Sequence, residues 1–185
     1  SLAPIWRIHL DRLTDAMLPA TLTGILQARL DALPVAEKDA LQRASVVGRL
    51  FWDEAVAYIA EDAGPADDLW PNLRRREIIY PREGSAFEGA REYLFKHALL
   101  RDVAYESVLR RRRRAYHRRA AEWLIRASGD RVDEYAELIA GHFAQAEDAA
   151  AEAEWQARAG RQAAARYATG EALRAFNRAL ELTPA

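Results

Sequence analysis

Apolar residues recur at helical spacing along almost the whole of this chain, and the rhythm breaks once, between about residues 78 and 95. Leu22, Ile25, Leu26 and Leu30 fall on one stripe of a helix beginning after Pro19, whose missing N–H costs nothing in a first turn. From Pro34 to Val47 the spacing continues with Leu41, Ala44 and Val47. It stops at Gly48, where a left-handed C′ residue is expected. Asp53 is placed to cap a third helix through Val56, Ile59 and Ala60, closed by Gly64, and a fourth spans about residues 68 to 77. The interruption consists of two short runs rich in β-branched and aromatic residues, Ile78-Ile79-Tyr80 and Glu92-Tyr93-Leu94-Phe95. Between them lies a stretch containing Gly84 and Gly89. That is the pattern of a β-hairpin.

Weak alternation over Ile5 to Leu10 reads as an edge strand ahead of the helices. A stray strand, helices and then a hairpin is the order of a winged helix-turn-helix, with Gly84-Ser85-Ala86-Phe87-Glu88-Gly89 at the wing tip. A helical domain with an irregular loop is the alternative. Beyond His97 the chain reads as helical to its end. Leu99, Leu100, Val103, Ala104 and Val108 form one apolar face, and Tyr116, Ala120, Trp123, Leu124 and Ala127 form the next, which stops near Gly129. The remainder is alanine-rich, with Leu138, Ile139, Phe143, Trp155, Tyr167, Phe176 and Leu180 as its larger packing residues. Placing Gly160 at the small position of a 34-residue tetratricopeptide unit puts Ala172, Phe176, Ala179 and Pro184 at its small, aromatic, small and proline positions. One such repeat cannot bury its own faces, so a continuing solenoid is expected. The predicted fold class is mainly α: a winged helix with a small hairpin wing, then antiparallel helical hairpins that start a TPR-like solenoid.

Charge and composition narrow the chemistry. A formal net charge of −1 means that the 25 arginines are balanced by acids, which excludes a uniformly basic coat protein. The absence of cysteine excludes disulfides and thiolate metal sites. A phosphate loop needs glycines and a lysine that reaches the β and γ oxygens. The two lysines, Lys38 and Lys96, lie in Glu37-Lys38-Asp39 and Phe95-Lys96-His97, where neither has that setting. His9, His117 and His142 form no metal-binding pair by spacing, and no nucleophile elbow occurs, so no catalytic or metal residue is expected. No apolar run reaches the length of a membrane span, and a cytoplasmic location is expected.

Two features can carry function. His97, with Lys96 beside it, stands where the hairpin gives way to a helix, and a helix N-terminus with its unpaired N–H groups can meet a phosphate. The alternative role for His97 is a half-buried cap or a partner for a backbone carbonyl. Arg110, Arg111, Arg112, Arg113, Arg114, Arg118 and Arg119 place seven arginines in ten residues without an acid. They read as a nucleic-acid contact, as an anionic-lipid or other contact, or as a solvated helix whose heads pair with acids such as Glu106 and Glu122 and whose stems cover apolar surface. The Arg74-Arg75-Arg76 run carries the same readings.

The stretches Leu18 to Pro34 and Leu41 to Phe51 resemble the segment that follows the ATPase core of bacterial STAND-type ATPases. These are fused to class III adenylate/guanylate cyclases or, in cousins, to LuxR-type regulators. Tyr93 to Trp123, with Phe-Lys-His-Ala-Leu, Asp-Val-Ala-Tyr-Glu-Ser and Arg-Arg-x-x-His, resembles the same family. The resemblance implies a winged-helix regulatory domain over 18–109 after the end of a preceding segment at 1–17. Connecting helices over 110–147 and an incomplete TPR-like repeat over 148–185 would follow. Phe95 to Leu99 also looks like the Met-His-Asp motif, whose histidine contacts the β-phosphate of bound ADP, which implies that His97 is a nucleotide sensor. Ala98 stands at the aspartate position, so nothing that depends on the aspartate is carried over. The resemblance further implies ATP or ADP with Mg held by an upstream ATPase domain of a longer chain, no cofactor in this segment, and a protein partner on the repeats. A DNA-binding winged-helix module is the alternative function.

Overall fold

The computed structural model describes residues 20–60 and 68–183, and the Ile5–Leu10 strand, Gly64 and Pro184 lie outside them. The described chain is mainly helical, with one small three-stranded antiparallel sheet. In order, the elements are α1 Ala20–Asp31, α2 Val35–Val47, β1 Leu50–Trp52, α3 Asp53–Ala60, α4 Leu69–Arg75, β2 Ile79–Pro81, β3 Glu92–Phe95, α5 Ala98–Glu106 and α6 Arg110–Ser128. A 3₁₀ segment Gly129–Tyr135 then leads to α7 Ala136–Gln145, α8 Ala149–Ala165 and α9 Thr169–Leu182.

The hairpin forms with β3 in the centre of the sheet. Ile79 lies opposite Phe95 and Pro81 opposite Tyr93, while on the other side Leu50 faces Leu94 and Trp52 faces Glu92. Pro81 sits on the edge strand, where a missing N–H is tolerated. At three residues β1 is too short to show alternation, and its helical neighbours hide it in the sequence. The sheet organises an aromatic core. Phe51 is fully buried, with ring centroids 5.7 Å from Trp70, 5.7 Å from Tyr93 and 5.3 Å from Phe95.

Three local expectations are corrected. Of the α1 stripe, Leu26 and Leu30 are buried, whereas Leu22 and Ile25 are exposed among the described residues. Gly48 does end α2, but at φ 156°, ψ −174° rather than in the left-handed helical region. A Cβ there would lie 3.0 Å from the Leu50 carbonyl oxygen, so the turn into β1 requires glycine. The loop from 82 to 91 is not a free tip. Phe87 is buried, with its ring 4.9 Å from Trp52, 5.0 Å from Trp123 of α6 and 4.9 Å from Tyr135, and Arg131 donates to the Ala86 carbonyl at 2.7 Å. Asp53 takes N–H groups from both Glu54 (2.9 Å) and Arg91 (2.8 Å), which fastens the start of α3 to the base of that loop.

The second half is built differently. Successive helices α6 to α9 each pack on the next, and the short turns that join α7 to α8 and α8 to α9 hold Glu147 and Tyr167 at positive φ. Small residues set the spacing: Ala159, Ala163, Ala172 and Ala179 are buried between α8 and α9. A Cβ on Gly160 would stand 2.7 Å from the Phe176 ring. Leu138, Tyr167 and Leu180, expected as packing residues, are exposed. The close approach through alanine and glycine leaves room for Phe176 on the inner face, and Leu180 faces outward. The interface also holds a carboxylate, since buried Glu152 accepts from Arg178 Nε at 2.7 Å.

Candidate functional site

His97 occupies the junction between β3 and α5, with extended backbone (φ −124°, ψ 125°). Its carbonyl accepts from Leu100 N–H at 3.1 Å, as an N-cap carbonyl should, while its imidazole makes no capping bond and is exposed. The half-buried capping role is therefore corrected: the ring is exposed and forms no hydrogen bond or ion pair among the described residues. Lys96 is turned elsewhere. Its Nζ donates to Glu77 Oε2 at 3.0 Å and lies 5.3 Å from the Tyr80 ring centre. The Tyr80 hydroxyl and the Glu77 carboxylate hold the ammonium above the ordinary lysine range, and Lys96 in turn lowers the Glu77 carboxyl. The backbone thus brings His97 and Lys96 together at Glu77: Lys96 holds that carboxylate by a hydrogen bond, whereas His97 acts on it only through charge.

The arginines of α6 lie at the surface, and most of them pair within the molecule. Arg110 pairs with Glu147 at 3.0 Å, Arg114 pairs with the same carboxylate, and Arg118 pairs with Asp148 at 3.1 Å. Arg113 pairs with Glu106 at 3.1 Å, and its guanidinium lies 4.9 Å from the Tyr105 ring centre. Arg119 donates from Nε (3.1 Å) and Nη2 (2.7 Å) to the Tyr58 carbonyl. Arg111 and Arg112 alone of the seven are exposed without a hydrogen bond or ion pair among the described residues. Sequence spacing foretold Glu106 as a partner but also named Glu122, which pairs with none of them. The acids that count, Glu147 and Asp148, lie in the turn between α7 and α8, more than 25 residues along the chain.

An arrangement that spacing missed lies beside that helix. His117 on α6 and His142 on α7 are both buried, with Nδ1 to Nδ1 2.9 Å apart, so one ring donates and the other accepts. The Tyr105 hydroxyl lies 3.0 Å from His117 Nε2 and donates to Gln145 Oε1 at 3.4 Å, which ties α5, α6 and α7 together. Burial, then the neighbouring His142, pushes the His117 ring down to about 3; burial, then Arg101, pushes His142 down to about 4. Both rings are neutral at pH 7 and cannot donate to each other at once, so the pair fixes one tautomer. His142 Nε2 is buried without a partner. The helical phase carried a signal for this pair: His117 shares the inward stripe of Ala120, Ala121 and Leu124, and His142 that of Ile139, Phe143 and Ala146.

Among the described residues no group of three or more His, Cys, Asp or Glu is placed to hold a metal ion, and no helix is long and apolar enough to cross a membrane. No protein-family model, curated protein or solved structure matches this chain.

Proposed function

We propose that this segment is the non-catalytic regulatory and interaction region of a cytoplasmic, signal-transducing STAND-type ATPase, of the kind associated with adenylate/guanylate cyclases. In this reading residues 18–109 are a winged helix, 110–147 connect, and 148–185 begin a TPR-like solenoid that receives a protein partner. The element order from α2 to β3, with β3 between β1 and β2, supports the winged-helix part. Gly160 closing on Phe176 supports the repeat register.

The observation that carries the proposal is the exposed His97 imidazole between β3 and α5, which makes no hydrogen bond or ion pair among the described residues. An imidazole held on extended backbone, next to the positive end of a helix and without an internal hydrogen bond, is available to a phosphate presented by another domain. The ATP or ADP and its Mg would be held upstream. His97 would bind the β-phosphate of ADP and so favour a closed state, and a ligand on the repeats would shift the balance by preferring the open state. Lys96 stays with Glu77 and supports the corner rather than the phosphate. The test is ADP retention by the intact ATPase: His97→Ala is expected to speed ADP release, and unchanged release overturns the proposal.

The DNA-binding alternative draws less support. Five of the seven α6 arginines are engaged within the molecule, and the loop that would serve as a wing is held down by Phe87.

A further inference from the structure

A groove of about 420 Å³ opens on the opposite side of the hairpin from the loop's docked face, between α4, the edge strand β2 and the approach to β3. Its floor is the stacked pair Trp70 and Tyr93, with ring centres 5.2 Å apart and planes 21° from parallel, and Pro81 forms part of its wall. Three guanidinium groups rim it: Arg74 and Arg75 from the end of α4 and Arg91 from the residue before β3. No carboxylate lines the groove among the described residues.

The internal partners of these arginines leave their charge largely uncompensated. Arg74 makes no ion pair or hydrogen bond from its side chain among the described residues, and Arg75 bonds the neutral amide oxygen of Asn72. Arg91 has Asp53 at 3.8 Å, at the long limit of an ion pair, and its side chain is 75% exposed. By contrast the neighbouring cations are consumed: Arg76 pairs with buried Glu37 at 3.1 Å and Arg82 with buried Glu92 at 3.3 Å. The Tyr93 hydroxyl lies by Arg91, and burial raises its pKa, so it remains a proton donor beside the guanidinium. The groove therefore offers convergent donors on an aromatic floor, with Asp53, beside Arg91, the one carboxylate paired with them among the described residues.

We propose that this groove binds the phosphate group of a small phosphate or phosphomonoester, with Arg74, Arg75 and Arg91 as its ligands and the Tyr93 hydroxyl as a further donor. Planar guanidinium forks match the spacing of phosphate oxygens and give charge-assisted hydrogen bonds, which explains three arginines where lysine would supply only a point charge. An extended polyanion fits less well. The adjacent loop carries Glu83 and Glu88, both exposed, where a duplex backbone would have to pass. The site is independent of the His97 reading, which concerns another face and a nucleotide held by another domain.

The test titrates the 185-residue chain with inorganic phosphate, with phenyl phosphate and with a short DNA duplex at low ionic strength, following backbone amide shifts. Saturable shifts confined to α4, β2 and residues 91 to 93 are expected with both phosphates. Tighter binding of phenyl phosphate assigns an ester that uses the aromatic floor, and equal binding assigns the free anion. The exposed pair R74Q/R75Q is expected to weaken phosphate by about tenfold or more, while R111Q/R112Q, which removes the same charge from α6, leaves it unchanged. Equal weakening by both variants, or no saturable shift with either phosphate, overturns the proposal. Duplex binding at this groove that phosphate does not displace also overturns it and assigns a polyanion surface instead.

Discussion

The two halves of this molecule solve the packing problem in opposite ways. Around the sheet, large rings fill the space between elements distant in sequence: Phe51, Trp70, Tyr93 and Phe95 on one side of β3, and Trp52, Phe87 and Trp123 on the other. In α7 to α9 the helices close on each other through alanine and glycine, and each meets chiefly the next in the chain. The first half derives its stability from buried area per side chain, and the second from how closely backbones approach. A cavity should therefore damage the first more, and an added methyl the second.

The largest expected effect tests that contrast directly. Phe51→Ala removes a fully buried ring that touches three others, and it should cost about 3–5 kcal/mol in urea unfolding. A smaller loss would mean that the sheet side can collapse around the gap, which would erase the difference between the halves.

Next comes acid. His117 and His142 are held well below the unfolded histidine value near 6.5, so the folded state stays neutral while the unfolded chain takes up protons as pH falls. Stability is fully present above about pH 6.5 and is lost from there toward the folded values near 4 and 3. Arg101 and Arg113 add to the penalty for charging the pair, while the exposed Glu134 and Glu137 of the neighbouring cleft offset it only through solvent. Between pH 7 and 5 the pair should cost roughly 4 kcal/mol, measured by chemical unfolding across pH, and H117L/H142L should flatten that slope. A slope that survives the double variant would place the acid sensitivity in the sheet half.

Gly160→Ala isolates the other half. Alanine gains up to about 1 kcal/mol in helix propensity, but its Cβ would stand 2.7 Å from the Phe176 ring, and overpacking of that kind costs about 1–3 kcal/mol. A net loss of about 1 kcal/mol is expected, and the companion change Phe176→Leu should restore part of it. A stabilised G160A would show that α8 and α9 can separate without penalty. The smallest effect is at the surface. Glu147→Gln loosens Arg110 and Arg114, both of which it holds in solvent, so no resolvable shift in the thermal midpoint is expected at physiological salt.

How far each half could be read beforehand follows from the same contrast. Local contacts leave local marks, so helix limits such as Val47 and Ser128 are legible from spacing, and the repeat register puts Gly160 and Phe176 where α8 and α9 meet. Contacts across the chain leave none. β1 pairs with a strand about 40 residues away, Phe87 reaches α6, and the acids that neutralise α6 lie in the α7–α8 turn. The histidine pair escaped for the same reason: His117 and His142 are 25 residues apart, and a search for ligands at helical spacing cannot join two helices. His97 was placed correctly at the strand–helix junction because that boundary is local. Its freedom from capping depends on the ring's direction, which no sequence pattern encodes.

The central position of β3 has a consequence for assembly. Of the three strands it is the last to be synthesised, and the other two pair only with it. Until residues 92 to 95 leave the ribosome, β1 and β2 have no edge to join, and the rings of Phe51 and Trp70 have no Tyr93 or Phe95 to rest on. The helices downstream need only their immediate neighbours and can form turn by turn as they emerge. A nascent chain arrested just before Glu92 would expose unpaired strand and aromatic surface, which makes that interval the one in which a chaperone has most to cover.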